Sequence, residues 1–435
     1  MPDGLRSLAS ADVSLDGGPV STFYPYGHPA QMTPMLPGAK HLQSLVALAA
    51  EVIAASQRLA RGKETSLARA FSPWMLAMSA FYSNQLEGIH ADPLDLVPSA
   101  IGAGSRSRQP DNATRQILAH VRAEDRLALD LPHLFANGWF DANVVRAIHR
   151  HLYAGLNEDD CRLASEGGEV TEITPGQYRQ TGVRVGTHIP PDPATIPAFM
   201  LAWESSWRHC RHGELALIAL AAAHHRLVWI HPFVDGNGRT ARLHWSLALA
   251  ALRLTHGLWS PVRGLARQHD RYFALLAGAD APRAGDLDGR GNLSERCLVA
   301  WIEFALQVCR EEIDFIAEML DHGRLDERLR AFLCVSRQRY PNLVPEAVTP
   351  ILALTTQGLM LREQFMAMTT LPVQCAEGLL ADALSLGIAG SDVPDGLLDF
   401  RLSPAVFSGL FPALWPELDA AVAASVSAAC RPEGH

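Results

Sequence analysis

Residues 231–242 read His231-Pro232-Phe233-Val234-Asp235-Gly236-Asn237-Gly238-Arg239-Thr240-Ala241-Arg242 and decide the reading of the 435-residue chain. An apolar helical pattern over 213–230 precedes them, and Pro232 prevents its simple continuation. Asp235, Gly236, Asn237 and Gly238 are strong turn formers. A new helix is expected over 238–255. Its first turn offers backbone N–H groups without intrahelical acceptors, at the positive end of the helix dipole. Two glycines let an anion approach the backbone closely. Arg239 and Arg242 are three apart and share a face, so the helix start becomes an anion site with two guanidinium arms. Two arms favour a polyphosphate over a single phosphate. Asp235 at the rim suits Mg²⁺, which binds one or two carboxylates together with phosphate oxygens. His231 is the one group of the loop able to accept a proton near neutral pH.

Each part taken alone is commonplace: a histidine before proline, a D-G-N-G turn, an R-x-x-R helix face. Their occurrence within twelve residues, in an order that builds one site, is not. The stretch HPFVDGNGRTAR resembles the signature H-P-F-x-D/E-G-N-G/K-R-x-x-R of the Fic (Fic/Doc) family and matches it at every specified position. The resemblance extends over about residues 73–310, through the approach helix AAAHHRLVWIHPF, the segment GQYR followed by PPDPATIPAFMLAW, and the stretches YFALLAGAD and CLVAWIEFAL.

That resemblance implies a mainly α fold: a Fic-type helical core with a short β-hairpin flap. It implies transfer of AMP from ATP to a Ser, Thr or Tyr hydroxyl of a target protein. His231 would be the base, and Asp235 would hold Mg²⁺. The backbone around Gly236, Asn237 and Gly238 would cradle the α- and β-phosphates. Arg239 would support the transferring and leaving phosphates, and Arg242 the γ-phosphate. Phe233 would anchor the loop. A lysine at position 238 marks family members that act as kinases, so Gly238 favours AMP transfer. His231 should be largely neutral, with the two arginines also disfavouring its charged form.

Residues 83–88, Ser83-Asn84-Gln85-Leu86-Glu87-Gly88, end a helix expected from Pro73 to Leu86. A carboxylate in a last turn opposes the negative end of the helix and needs compensation, or simply faces water. The segment resembles the family's inhibitory motif, S/T-x-x-x-E-G/N. The resemblance implies a Glu87–Arg242 ion pair, with Ser83 one turn earlier on the same face and Gly88 completing the motif. This is the arrangement of the subclass with an N-terminal inhibitory helix.

Between 176 and 192 the helical pattern lapses, and Val183 and Val185 alternate around Arg184 before Gly186. A short hairpin is expected there. Tyr178, Arg179 and the flap residues Val183, Val185, Thr187 and His188 are the expected docking surface for a target segment, which would add as an extra strand. Asp280 falls where some relatives carry an asparagine near the adenine, and Tyr272 is a candidate for the same pocket. His224 and His225, adjacent on the approach helix, read as core or supporting residues.

Further helices are expected over 41–60, 113–129, 141–155, 194–208, 267–278 and 293–318. Residues 1–37 read as an irregular arm and 102–112 as a loop. Three segments follow: 1–110 with the inhibitory motif, 111–320 as the core, and 321–435. The last resembles a winged helix, with helices over 361–368 and 372–387 and a hairpin over 388–403. That tail carries Arg362 and Arg401 against six carboxylates between 361 and 403. DNA binding needs phosphate neutralisation there, so a protein contact or homodimer is the better expectation.

The net charge of −9 also speaks against a polyanion partner. The seven cysteines are odd in number, widely spaced and without C-x-x-C, which argues against a disulfide framework or zinc ribbon. With no charged-then-apolar leader and no apolar run of 18 residues, the expected location is the cytoplasm, away from membranes. Two rival functions are consistent with the same residues. With Glu87 ordering a water, the site would hydrolyse AMP from a modified target. Alternatively, the chain would be a non-enzymatic nucleotide-sensing or scaffolding module acting through its C-terminal domain.

Overall fold

The computed structural model describes residues 24–91, 96, 110–164 and 170–414. The first part of the expected arm, the expected loop up to residue 109 and Cys430 lie outside them. The described chain is mainly helical, with two short antiparallel strand pairs. It divides into two compact units. One takes in the chain up to Arg58, Ser79–Ala91 and the described residues from 110 to Ile313; the other takes in Leu59–Met78 and the chain from Asp314.

The first unit contains α1 (Ala39–Leu59), the second part of α2 (Ser66–Gln85), α3 (Asn112–Ala128), α4 (Leu131–Leu134), α5 (Ala142–Tyr153), α6 (Ile196–Ser206), α7 (Gly213–Ile230), α8 (Asn237–Ala251), α9 (Val262–Arg267), α10 (His269–Ala279) and most of α11 (Glu295–Met319). Strands β1 (Arg162–Ala164) and β2 (Val170–Glu172) pair antiparallel with Leu163 opposite Thr171.

Asp111 and Asp141 cap α3 and α5 by accepting from the N–H groups of Thr114 and Asn143. α5 is amphipathic, burying Val144, Val145, Ile148, His149, Leu152 and Tyr153 on one side. α7 and α8 are buried nearly all round, in keeping with the apolar run from Ala216 to Ala223 in α7. By length and mean hydropathy α7 would suffice to cross a membrane, but 78% of it is buried inside this unit. The six-residue loop between α7 and α8 is the signature turn.

The second unit holds the first part of α2, α12 (His322–Ser336), α13 (Val348–Gln357), α14 (Arg362–Met368), α15 (Val373–Leu386), β3 (Ala389–Gly390), β4 (Asp399–Phe400) and α16 (Pro404–Leu410). β3 and β4 pair with Ala389 opposite Phe400, and Met360 bridges to Leu398. The helix pair and hairpin expected after residue 360 are present as elements; α12 and α13 were not anticipated. Trp74 stacks on Phe407 at 4.1 Å and donates to the Leu402 carbonyl at 3.1 Å.

The expected start of α2 at Pro73 is wrong: the helix begins at Ser66 and carries Pro73 inside it. Thr65 caps the true start, its hydroxyl accepting from the Ala68 N–H at 3.2 Å. Leu67, Ala68, Phe71, Trp74, Met75, Ala77 and Met78 are all buried, and that burial outweighs the hydrogen bond a proline forfeits.

Candidate active site

The loop from His231 to Gly236 reverses the chain between two buried helices using two left-handed residues. His231 (φ 50°) ends α7, its N–H donating to the Leu227 carbonyl; Gly236 (φ 72°) opens α8. A β-carbon at position 236 would stand 2.7 Å from the Tyr153 hydroxyl, so glycine is required there twice over. The Asn237 side chain accepts from the Phe233 N–H and donates to the Phe233 carbonyl, both at 2.9 Å, and so staples the loop from within. Phe233 is buried and stacks on His149 at 3.9 Å, the anchor expected of it.

His231 is almost fully buried, and its Nδ1 lies 3.3 Å from the Val228 carbonyl. That contact suits the Nδ1–H tautomer and leaves the Nε2 lone pair as acceptor. Burial pushes its pKa down to about 3, helped by the fields of Arg179 and His188. After burial, the charge that contributes most to keeping this imidazole neutral is that of Arg179, a residue outside the signature.

Asp235 and Arg239, given separate roles by the family resemblance, are bonded to each other at 2.7 Å. The same carboxylate oxygen accepts from the Tyr153 hydroxyl at 2.6 Å, and Tyr153 also accepts from Arg239 at 2.9 Å. Gln116 takes a further Arg239 N–H at 2.9 Å. Burial works against the Asp235 charge, but Arg239, Tyr153 and the Gly236 N–H outweigh it and hold the carboxyl below its ordinary range.

Asp235 is about one-third exposed, ionised and adjacent to the helix N-terminus. Among the described residues no group of three His, Cys, Asp or Glu side chains could hold a metal. A single carboxylate at a phosphate cradle is the protein's usual share of a Mg²⁺ site, so the residues fit that ion with phosphates as co-ligands.

Arg242 is buried and held by the end of α2. It donates from Nε to the Ser83 hydroxyl at 3.0 Å and from Nη2 to the Ser83 carbonyl at 2.8 Å, and it forms an ion pair with Glu87. Its side chain also bonds the Tyr272 hydroxyl. The Glu87 carboxylate lies against the α-carbon of Gly238, where a β-carbon would overlap it. Gly88 (φ 73°) explains the placement. Its N–H donates to the Gln85 carbonyl, and the Ile89 N–H reaches back to that of Asn84. This is a Schellman cap, which stops α2 and leaves Glu87 as the capping residue just past its last residue, Gln85.

The flap is shorter than expected. Val185 and His188 exchange backbone hydrogen bonds at 3.0 and 2.9 Å across Gly186 and Thr187, and no longer ladder follows. Val183 is buried, and His188 Nε2 lies 2.8 Å from the Trp229 carbonyl. Val185 and Thr187 are left as the more accessible side chains. Arg179 is fully buried, donating to the carbonyls of His231, Thr181 and Pro191 at 2.7–2.9 Å. It straps the flap to the histidine turn and does not face a target.

Tyr272 and Asp280 each have partners within the protein. The Tyr272 hydroxyl serves Arg242 and lies 3.1 Å from His224 Nε2, and Asp280 pairs with the buried His225 at 3.0 Å.

Sequence reasoning missed the support beneath the loop. His149 and Tyr153 are one turn apart on α5. The Gly176 N–H donates to His149 Nδ1 at 2.8 Å, which leaves Nε2–H for the Asp235 carbonyl at 3.1 Å. The available signal was a histidine and a tyrosine on the apolar face of an amphipathic helix.

The geometry defines a class: a helical protein that gathers a helix N-terminus, two arginines and a neutral imidazole at one loop. Residues 139–249 match the profile of the Fic/DOC family, and the chain carries a Fic/DOC domain. The protein adenylyltransferase Fic of Drosophila melanogaster is 40% identical over 111 residues, which are 25% of this chain and 21% of that protein. That of Drosophila grimshawi is 37% identical over 110 residues, 25% and 22%. The aligned stretch thus spans about a fifth of the length of these curated relatives. Among solved structures, a Fic family protein from Desulfovibrio desulfuricans G20 aligns over 85% of this chain and 99% of its own, at 17% identity and a TM-score of 0.49.

Proposed function

We propose that this protein is an adenylyltransferase that moves AMP from ATP to a Ser, Thr or Tyr hydroxyl of a target protein and is held in check by Glu87. The observation that carries the reading is the neutral His231 imidazole at the mouth of the α8 N-terminus, with Arg239 and Arg242 within its first two turns. His231 Nε2 accepts the proton of the target hydroxyl as its oxygen attacks the α-phosphorus. The bond to the α,β-bridging oxygen breaks, and pyrophosphate leaves. Arg239 and the N–H groups of the first turn neutralise charge on the phosphates, and Arg242 positions the terminal one. Mg²⁺, held by Asp235 and phosphate oxygens, adds charge neutralisation when bound.

Glu87 opposes this by occupying Arg242 and the space over Gly238. A polyphosphate must displace that carboxylate to use the second arginine. The same carboxylate beside the cradle supports a second reading, in which Glu87 orients a water that removes AMP from a modified target. Incubating the Glu87→Gly protein with lysate and ATP labelled at the α-phosphate tests the first reading. Label on the α-phosphate should transfer and label on the γ-phosphate should not. Transfer of γ-label would show a kinase. Release of AMP from a pre-labelled target by the unaltered protein would support the hydrolase.

A further inference from the structure

Asn84 occupies one of the places that the inhibitory motif leaves open, yet it is fully buried. Its carbonyl accepts the N–H groups of both Glu87 and Ile89, at 2.9 and 3.0 Å, so the turn that carries Glu87 is anchored on this residue. Its side chain reaches out of the helix. The amide nitrogen donates to the Ala80 carbonyl at 2.8 Å and lies 3.1 Å from Nδ1 of His120 on α3. A carbonyl can only accept, which fixes the nitrogen on that side of the amide. His120 Nδ1 is therefore the acceptor, and Nε2 carries the ring proton. His120 is buried as well. Burial, with the fields of Arg239 and Arg242, pushes its pKa down to about 3, so the Nδ1 lone pair stays available.

Residues one turn to either side of His120 extend the contact. Gln116 accepts from Arg239 at 2.9 Å, and Glu124 bonds Ser79 on α2. One stripe of α3 thus touches both the end of α2 and the first signature arginine of α8. The end of α2 is then tied on two adjacent residues: Ser83 to Arg242, and Asn84 to His120. Successive residues of a helix point about 100° apart, so two such ties stop the last turn from rolling about its own axis, which either one alone would permit.

We infer that His120 is a positioning residue for the Glu87 block: it accepts the Asn84 amide, fixes the rotation of the last turn of α2, and so keeps the Glu87 carboxylate on Arg242. The inference rests on the proposed block by Glu87 and not on the transfer chemistry.

Calorimetric titration of the full chain with Mg²⁺ and ATP, with Glu87 present and in the Glu87→Gly background, tests it. His120→Leu keeps the bulk and removes the acceptor, whereas His120→Asn puts an amide oxygen where Nδ1 stood. With Glu87 present, His120→Leu should tighten ATP binding about threefold or more, and His120→Asn should stay within about twofold of the unaltered protein. In the Glu87→Gly background neither change should move the affinity by more than about twofold, because no block remains to be positioned. Hydrogen exchange of the Glu87 and Ile89 amides should quicken in His120→Leu while that of the α8 amides does not. If His120→Leu fails to fold, Asn84→Leu, which removes the donor instead, should show the same pattern. The assignment is overturned by unchanged ATP affinity in either variant that folds, by equal changes in the two backgrounds, or by His120→Asn behaving as His120→Leu. Failure of the adenylyltransferase reading is seen separately, as absence of α-label transfer by the Glu87→Gly protein.

Discussion

Glu87 lies 155 residues before Arg242 in the chain, yet its carboxylate closes on that guanidinium at the N-terminal end of α8. The ion pair is only part of the contact. Ser83, one turn earlier, gives Arg242 two further acceptors, so the end of α2 holds the arginine at three points. Removing the carboxylate should free the guanidinium for phosphate without disturbing its buried stem. Glu87→Gly is expected to tighten ATP binding and raise AMP incorporation by about tenfold or more, because the competent state no longer competes with the pair. Unchanged ATP affinity by calorimetry would remove Glu87 from the regulatory role.

Gly88 offers a graded version of the same test. Its φ of 73° suits glycine and strains alanine. Gly88→Ala should cost about 1 kcal/mol in the last turn of α2 and raise basal labelling by less than Glu87→Gly does. A basal rate equal to that of the unaltered protein would mean the cap does not set the Glu87 position.

His231→Ala should abolish transfer while leaving the melting temperature within a few degrees. The pH dependence is more telling. Burial lowers the folded pKa to about 3 from the ordinary 6.5. The folded protein therefore resists a proton that the unfolded chain accepts, and the associated stability is lost as pH falls below about 6.5. In the Glu87→Gly protein, kcat/KM should show no acid limb from His231 above about pH 5. A limb centred between 6 and 7 that disappears in no other variant would contradict the buried, neutral imidazole.

Glu124 on α3 is buried and bonded to Ser79 on α2, and burial pushes its pKa up to about 8. A carboxyl raised in this way is protonated in the folded protein when the unfolded chain has already lost the proton. Stability should therefore fall as pH rises from about 4.5 to 8, by at most a few kcal/mol. Glu124→Gln should flatten that slope in a series of thermal melts. A slope that persists would place its origin elsewhere.

Tyr153→Phe removes the hydroxyl shared by Asp235 and Arg239. Folding should suffer by about 1–2 kcal/mol, and nucleotide binding should become less dependent on Mg²⁺ as Asp235 loses its orientation. Calorimetric ATP titrations with and without the ion would reveal it, and an unaltered Mg²⁺ dependence would leave Tyr153 as loop packing alone.

How much of this was written locally in the chain follows from where each partner comes from. The signature turn was legible because its turn formers, glycines and arginines lie within one loop and one helix turn, where spacing dictates geometry. Glu87 was legible through the resemblance of residues 83–88 to the family's inhibitory motif, since its helix end alone left open a carboxylate facing water. Tyr153, His149, Gln116 and Arg179 were not, because each meets the loop across sequence separations that no periodicity encodes. β1 and β2 escaped notice because three-residue strands carry almost no alternation. Pro73 misled for the opposite reason: a strong local rule was overridden by tertiary burial of the residues around it.

On the proposed function, the residue that blocks the cradle is also the cap of its helix, two residues past Gln85. Helix ends fray at far lower cost than helix centres, and a glycine turn directly follows Glu87. The proposed restraint would then be a latch that opens by unwinding one peptide turn, with the α7–α8 hairpin and its imidazole left in place.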